Sequence, residues 1–141
     1  MIFLFLLQQY QIGAQKKFPK KKIKKNGKKN IQFVLNDDVL KNISRHRKKP
    51  KLVIGFSAET NDLLLNTKKK LEDKGCDWML ANHVTKNNAF LSDMNKIFFL
   101  DKENVDEWPK MKKKMVALKL TKKIVSFFKN NKLLKYEKNL L

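Results

Sequence analysis

The amino-acid sequence predicts an α/β fold: a Rossmann-like three-layer sandwich, N-terminally truncated, with a flap hairpin and an edge hairpin added to it. Three observations carry this reading. A short apolar run, Leu52–Phe56, follows Pro50; a segment with leucines at helical spacing ends at Gly75; and a second apolar run, Cys76–Ala81, comes directly after it. Together Lys51–Asn82 reads as one βαβ unit. The first run is almost uninterrupted, which suits a strand covered on both faces. It ends in Ser-Ala-Glu-Thr, and Thr60 or Asn61 can cap the next helix. Leu63, Leu64 and Leu71 mark the apolar side of that helix, while Lys68, Lys69, Glu72 and Asp73 face water. Gly75 stops it. Parallel strands joined this way imply a right-handed crossover. Ligands of open α/β sheets sit at the carboxyl ends of the strands, here Phe56–Thr60 and Asn82–Thr85.

The other elements follow in chain order. Ile2–Leu7 is apolar but has only Met1 before it and is shorter than the ~7–15 residues of a signal-peptide core. It is also far below the ~20 residues of a spanning helix, so a buried strand over residues 2–7 and no membrane partner are expected. Residues 16–35 contain the densest charge run, Lys16–Lys29, with an Asn26-Gly27 turn inside it. Lys22-Ile23-Lys24 can pair back on Ile31–Leu35 as a hairpin. Asn36–Arg47 predicts a short helix capped by Asn36 or Asp37, with an apolar face of Val39, Leu40 and Ile43. Lys96–Asp101, the turn at Lys102-Glu103-Asn104 and Val105–Trp108 give the edge hairpin over 96–108. A helix over 110–129 then starts beside Pro109, with Met111, Met115, Leu118, Ile124, Val125 and Phe128 as its packing stripe. Domain organisation is therefore one unit over 1–129 and a tail over 130–141.

Composition limits the partners. The chain has 141 residues and a formal charge of +20, which would ordinarily point to nucleic acid or an anionic membrane. Among its 33 basic residues, however, only Arg45 and Arg47 are arginines, and no basic segment is interleaved with aromatic residues. No specific nucleic-acid partner is expected. A single cysteine, Cys76, excludes an intramolecular disulfide and fits a reducing, cytoplasmic setting. His83 and Asp93 are too few and too far apart for a metal site. Neither a Walker loop nor a GxGxxG is present, so any phosphate recognition falls to scattered lysines and backbone amides. Lys70 and Lys74 are four residues apart and share one face of the helix.

The motifs GFSAETND, KGCDWMLANHV and FLSDMNKIFFLDKENVDEWPKM occur in this order. The sequence from about Phe18 to Phe128 thereby resembles phosphopantothenoylcysteine synthetase, the C-terminal ligase part of the bifunctional flavoproteins of coenzyme A biosynthesis. The resemblance implies a CTP- and Mg²⁺-dependent ligase that joins 4'-phosphopantothenate to cysteine through an acyl-cytidylate. FMN would belong only to the fused decarboxylase domain. It implies a catalytic flap lysine at Lys22. It also implies nucleotide contacts from Lys22, Asp37, Asp38, Val39, Leu40, Phe56, Lys70 and Lys74, and a homodimer built through the flap. The family's Asn-Pro-Asp reads Asn36-Asp37-Asp38 here, and the acid expected near Gln9 is absent. With early strands missing, turnover by the chain alone is not expected. Two other readings compete: a small basic nucleic-acid-binding protein, and an inactive remnant of the ligase.

Overall fold

The structure, a computed structural model, describes residues 4–8, 14–15, 33–34, 36–84 and 92–137, with side chains over 36–84 and 92–131. The N-terminal apolar run forms β1 (Leu4–Gln8), and the central unit forms β4 (Leu52–Glu59), α2 (Leu63–Lys74) and β5 (Trp78–His83). β1 pairs parallel to β4 with Leu4 opposite Leu52 and Gln8 opposite Phe56, and β4 pairs parallel to β5. The hairpin follows as β6 (Met94–Leu100) and β7 (Val105–Lys112), each antiparallel to its neighbour. The sheet order is β1-β4-β5-β6-β7. Two short strands, β2 (Ala14–Gln15) and β3 (Phe33–Val34), pair antiparallel in a separate small sheet. Most of the expected flap, including Lys22, lies outside the described residues.

Strand alternation divides the core into two clusters, one on each face of the sheet. Leu52, Ile54, Trp78, Leu80, Ile97, Phe99 and Trp108 face α3 (Lys113–Glu137) and pack on Val116 and Leu120. Val53, Met79, Ala81 and Leu100 face the opposite way, toward Leu71 of α2 and Leu40 of α1 (Val39–Ser44). Helices on both sides of a mixed sheet make the three layers.

Several boundaries differ from the sequence reading. β4 runs three residues past Phe56, because Ser57, Ala58 and Glu59 continue the ladder opposite Ala81, Asn82 and His83. The cap of α2 is Asp62, in the left-handed region at φ 44° and without a side-chain cap bond, not Thr60 or Asn61. Leu64 is 41% exposed, whereas Leu71 is buried and Leu63 packs beside it as expected, with Thr67 added to that side. Gly75 does end the helix, at φ 69°. α1 is capped by Asp38, whose side chain accepts from the Lys41 amide at 3.0 Å, rather than by Asn36 or Asp37. Val39 is exposed, leaving Leu40 to anchor this helix.

The largest correction concerns Pro109. It lies inside β7, and the C-terminal helix begins only at Lys113. The register slips between Asn95 and Ile97, with Trp108 opposite Ile97 but Met111 opposite Asn95. One extra residue therefore bulges from β7 beside the proline. An edge strand at a bulge tolerates a residue without an N–H, which is why a proline here does not start a helix. The buried face of the helix also differs from the expected stripe: Met115, Leu118 and Val125 are exposed, while Val116 and Leu120 are buried. Ile124, Phe127 and Phe128, partly buried, continue that stripe, and the helix extends into the expected tail as far as Glu137.

Candidate functional site

The ionic groups of interest gather where α2 leans over the carboxyl half of β4. Side chains of a helix tilt toward its N-terminus, and α2 runs back antiparallel to β4. Lysines late in α2 therefore reach toward the carboxyl ends of the strands. Lys70 Nζ donates to Glu59 Oε1 at 2.6 Å and lies 3.5 Å from Ser57 Oγ. Ser57 Oγ also donates to Glu59 Oε1. One turn later, Lys74 Nζ forms an ion pair with Asp38 Oδ2. Each lysine is thus held by a carboxylate, and each carboxylate is seated by a further bond: Glu59 by Ser57, Asp38 by the Lys41 amide.

Burial separates the two pairs. The Glu59 side chain is 9% exposed while its lysine is 44% exposed. In the second pair the Lys74 side chain is 14% exposed and Asp38 25%. An exposed ammonium beside a buried carboxylate can still receive an anionic ligand; Lys74 is already more enclosed. Asp38 also ties α1 to α2 at one end, and Arg45 Nη2 does so at the other by donating to the Asp73 carbonyl at 3.1 Å. The turn after β4 is fixed from β5, where His83 Nε2 lies 3.1 Å from the Thr60 carbonyl oxygen and the Val84 amide donates to the Glu59 carbonyl at 2.8 Å.

Of the residues singled out from sequence, the structure brings together Asp38, Leu40, Lys70 and Lys74 on the α1–α2 side of the sheet. Leu40 is buried against Gly55 and serves packing; Asp37 and Val39 point to solvent. The Phe56 ring does not join the lysines. It sits on the other face, against the α3 cluster, because residue 56 alternates with Gly55 and Ser57. Its backbone lies between Gln8 of β1 and Leu80 of β5. Lys22 is outside the described residues. Sequence reasoning missed Ser57 and Glu59, whose spacing of two would have put both on the lysine face had the strand been extended past Phe56.

Among the described residues, no three or more His, Cys, Asp or Glu side chains gather into a group able to hold a metal. No helix among them is long and apolar enough to cross a membrane. Cys76 is buried at the foot of β5, and burial pushes its thiol up from 9.0 to about 11, the behaviour of a packed and unreactive cysteine.

The fold and this cluster define a Rossmann-like α/β domain with a lysine–carboxylate site at the carboxyl end of its parallel strands. Comparison with known proteins makes the assignment narrower. Residues 13–128 match the family described as DNA/pantothenate metabolism flavoprotein C-terminal domain, and the chain belongs to that family. It is 36% identical over 104 residues to the coenzyme A biosynthesis bifunctional protein CoaBC of Borreliella burgdorferi, covering 72% of this chain and 26% of that protein. It is 34% identical over 115 residues to the protein of the same name from Bacillus subtilis, covering 79% and 28%. A crystal structure of the C-terminal domain of a CoaBC protein superposes with a TM-score of 0.58 at 29% identity, over 71% of this chain and 46% of that one. The chain thus spans about a quarter of the length of these curated relatives.

Proposed function

We propose that this chain carries part of the nucleotide site of a phosphopantothenate–cysteine ligase, an enzyme of coenzyme A biosynthesis. The reaction would use CTP with Mg²⁺ to convert the carboxylate of 4'-phosphopantothenate into an acyl-cytidylate, releasing pyrophosphate. The amine of cysteine would then displace CMP. A carboxylate is a poor electrophile and CMP a good leaving group, so the nucleotide supplies the driving force while the protein positions and neutralises charge.

The observation that carries the reading is the pair Lys70 and Lys74 on one face of α2, Lys70 on Glu59 at the carboxyl end of β4 and Lys74 on Asp38 at the cap of α1. Two ammonium groups one helical turn apart suit the oxygens of a nucleotide better than a single neutral substrate. Asp37 and Val39, exposed on either side of the cap residue Asp38, would add contacts from the start of α1. Phe56 is given no contact of its own, since its ring faces the other layer and its backbone lies within the ladder between β1 and β5. Mg²⁺ would arrive on the triphosphate as part of the substrate complex. Lys22, on the flap, would close over the triphosphate as pyrophosphate leaves, and the flap would also join two copies of the enzyme as a homodimer.

The test is a calorimetric titration of the chain with CTP and Mg²⁺. The parent should bind, and the double variant Lys70→Gln, Lys74→Gln should bind about tenfold or more weakly, as expected for losing two charge-assisted contacts. Failure of the parent to bind, or equal binding by the double variant, would reject the site.

A further inference from the structure

Glu59 places a buried negative charge at the point where an anionic ligand is proposed to bind. Only 8% of the residue is exposed, its backbone is fixed by the Val84 amide, and its Oε1 accepts from both Ser57 and Lys70. Lys70, by contrast, sits on a flexible four-carbon stem and has a half-exposed head. The stiff member of the pair is therefore the acid.

We propose that Glu59 is a positioning residue which, with Ser57, holds the Lys70 ammonium at the carboxyl end of β4, ready to donate to an oxygen of the nucleotide. The proposal rests on the nucleotide reading of this site. An ammonium has three donors; Glu59 and Ser57 occupy two of them and leave one for the ligand. A lysine already ordered in the empty protein avoids the entropic cost of being immobilised on binding. The Lys70 ammonium also offsets the cost of burying the Glu59 carboxylate, and the same contact leaves the lysine pre-ordered for a ligand.

Glu59→Gln keeps the size of the side chain and its bond from Ser57 but removes the charge that holds Lys70. Two measurements on the chain test the idea. In CTP–Mg²⁺ titrations Glu59→Gln should weaken binding about fivefold or more, and in a Lys70→Gln background it should add nothing further, since coupled residues are not additive. The exposed neighbour Lys68→Gln should leave binding unchanged. Without nucleotide, competitive amine labelling read by mass spectrometry should show Lys70 reacting faster in Glu59→Gln, relative to Lys68 and Lys69. If Glu59→Gln does not fold, Glu59→Asp, which keeps the charge but withdraws it by one methylene, should give the same changes. Unchanged or tighter CTP binding, additive effects, or unchanged Lys70 labelling would each overturn the positioning role while leaving the nucleotide site standing. Failure of the parent to bind CTP would remove both.

Discussion

Gly55→Ala should loosen the seat of α1. A Cβ built at Gly55 would lie 2.8 Å from Met79 Sδ, 2.9 Å from Leu40 Cδ2 and 3.0 Å from Met79 Cε. Ordinary carbon contacts fall near 3.5–4.0 Å, so both side chains must move by several tenths of an ångström or more. Both contacts are with the ends of side chains, and methionine adapts readily. The cost should therefore lie toward the lower part of the ~1–3 kcal/mol range for overpacking. The loss should be visible as a lower denaturation midpoint with an unchanged slope. Leu40 is 3% exposed and is the main apolar anchor of α1, so its displacement should also disturb Asp38 and its pair with Lys74. Shortening Met79 opens the space the new methyl needs. Gly55→Ala in a Met79→Ala background should consequently cost less than Gly55→Ala alone. Equal costs in the two backgrounds, or no cost in either, would refute this account of the glycine.

Other predictions follow from the same geometry. Trp108 is fully buried and stacked on Phe99 with ring centroids 5.8 Å apart; Trp108→Ala should cost about 3–5 kcal/mol by denaturant unfolding, and a loss below about 1 kcal/mol would contradict its place in the core. The Cys76 thiol titrates higher in the folded chain than in the unfolded one, so the native state holds the extra proton. Stability should therefore be unaffected by this group below pH 9 and should fall between about pH 9 and 11. Comparing parent with Cys76→Ala across that window isolates the effect from lysine titration, and a constant difference would refute it. Binding to DNA or RNA should be weak, unselective and steeply lost with salt; tight sequence-selective binding at physiological salt would contradict the ligase reading.

The layered fold was legible because its signals are local and come in order. Leu52–Phe56, Gly75 and Cys76–Ala81 each speak for one element, and the three occur in the only order a βαβ unit allows. Legibility failed where local and tertiary signals conflict. Pro109 is a helix-starting residue by local preference, yet a bulged edge strand accommodates it equally well, and nothing near it in sequence distinguishes the two. The helix also packs through Val116 and Leu120 and not through Met115, Leu118 and Val125, because apolar residues occur on both of its faces and the sequence does not say which one meets the sheet. In the site, Lys70 and Lys74 were singled out by the family resemblance, since their spacing alone fits any exposed basic helix face. Glu59 was not, because it looked like the polar end of a turn; only pairing with His83 in the neighbouring strand shows that it still belongs to β4. Phe56 shows the limit of a motif, which marks a position but does not say which face its side chain takes.

The central proposal is that CTP binds across α1, the end of β4 and α2. It is tested most directly by amide NMR of the isotopically labelled chain during titration with CTP and Mg²⁺. The account predicts shifts concentrated at residues 36–40, 56–59 and 70–74, saturating together and absent from the lysine-rich outer face of α3. Shifts centred on Lys119, Lys122 and Lys123 instead, or none at the end of β4, would contradict it.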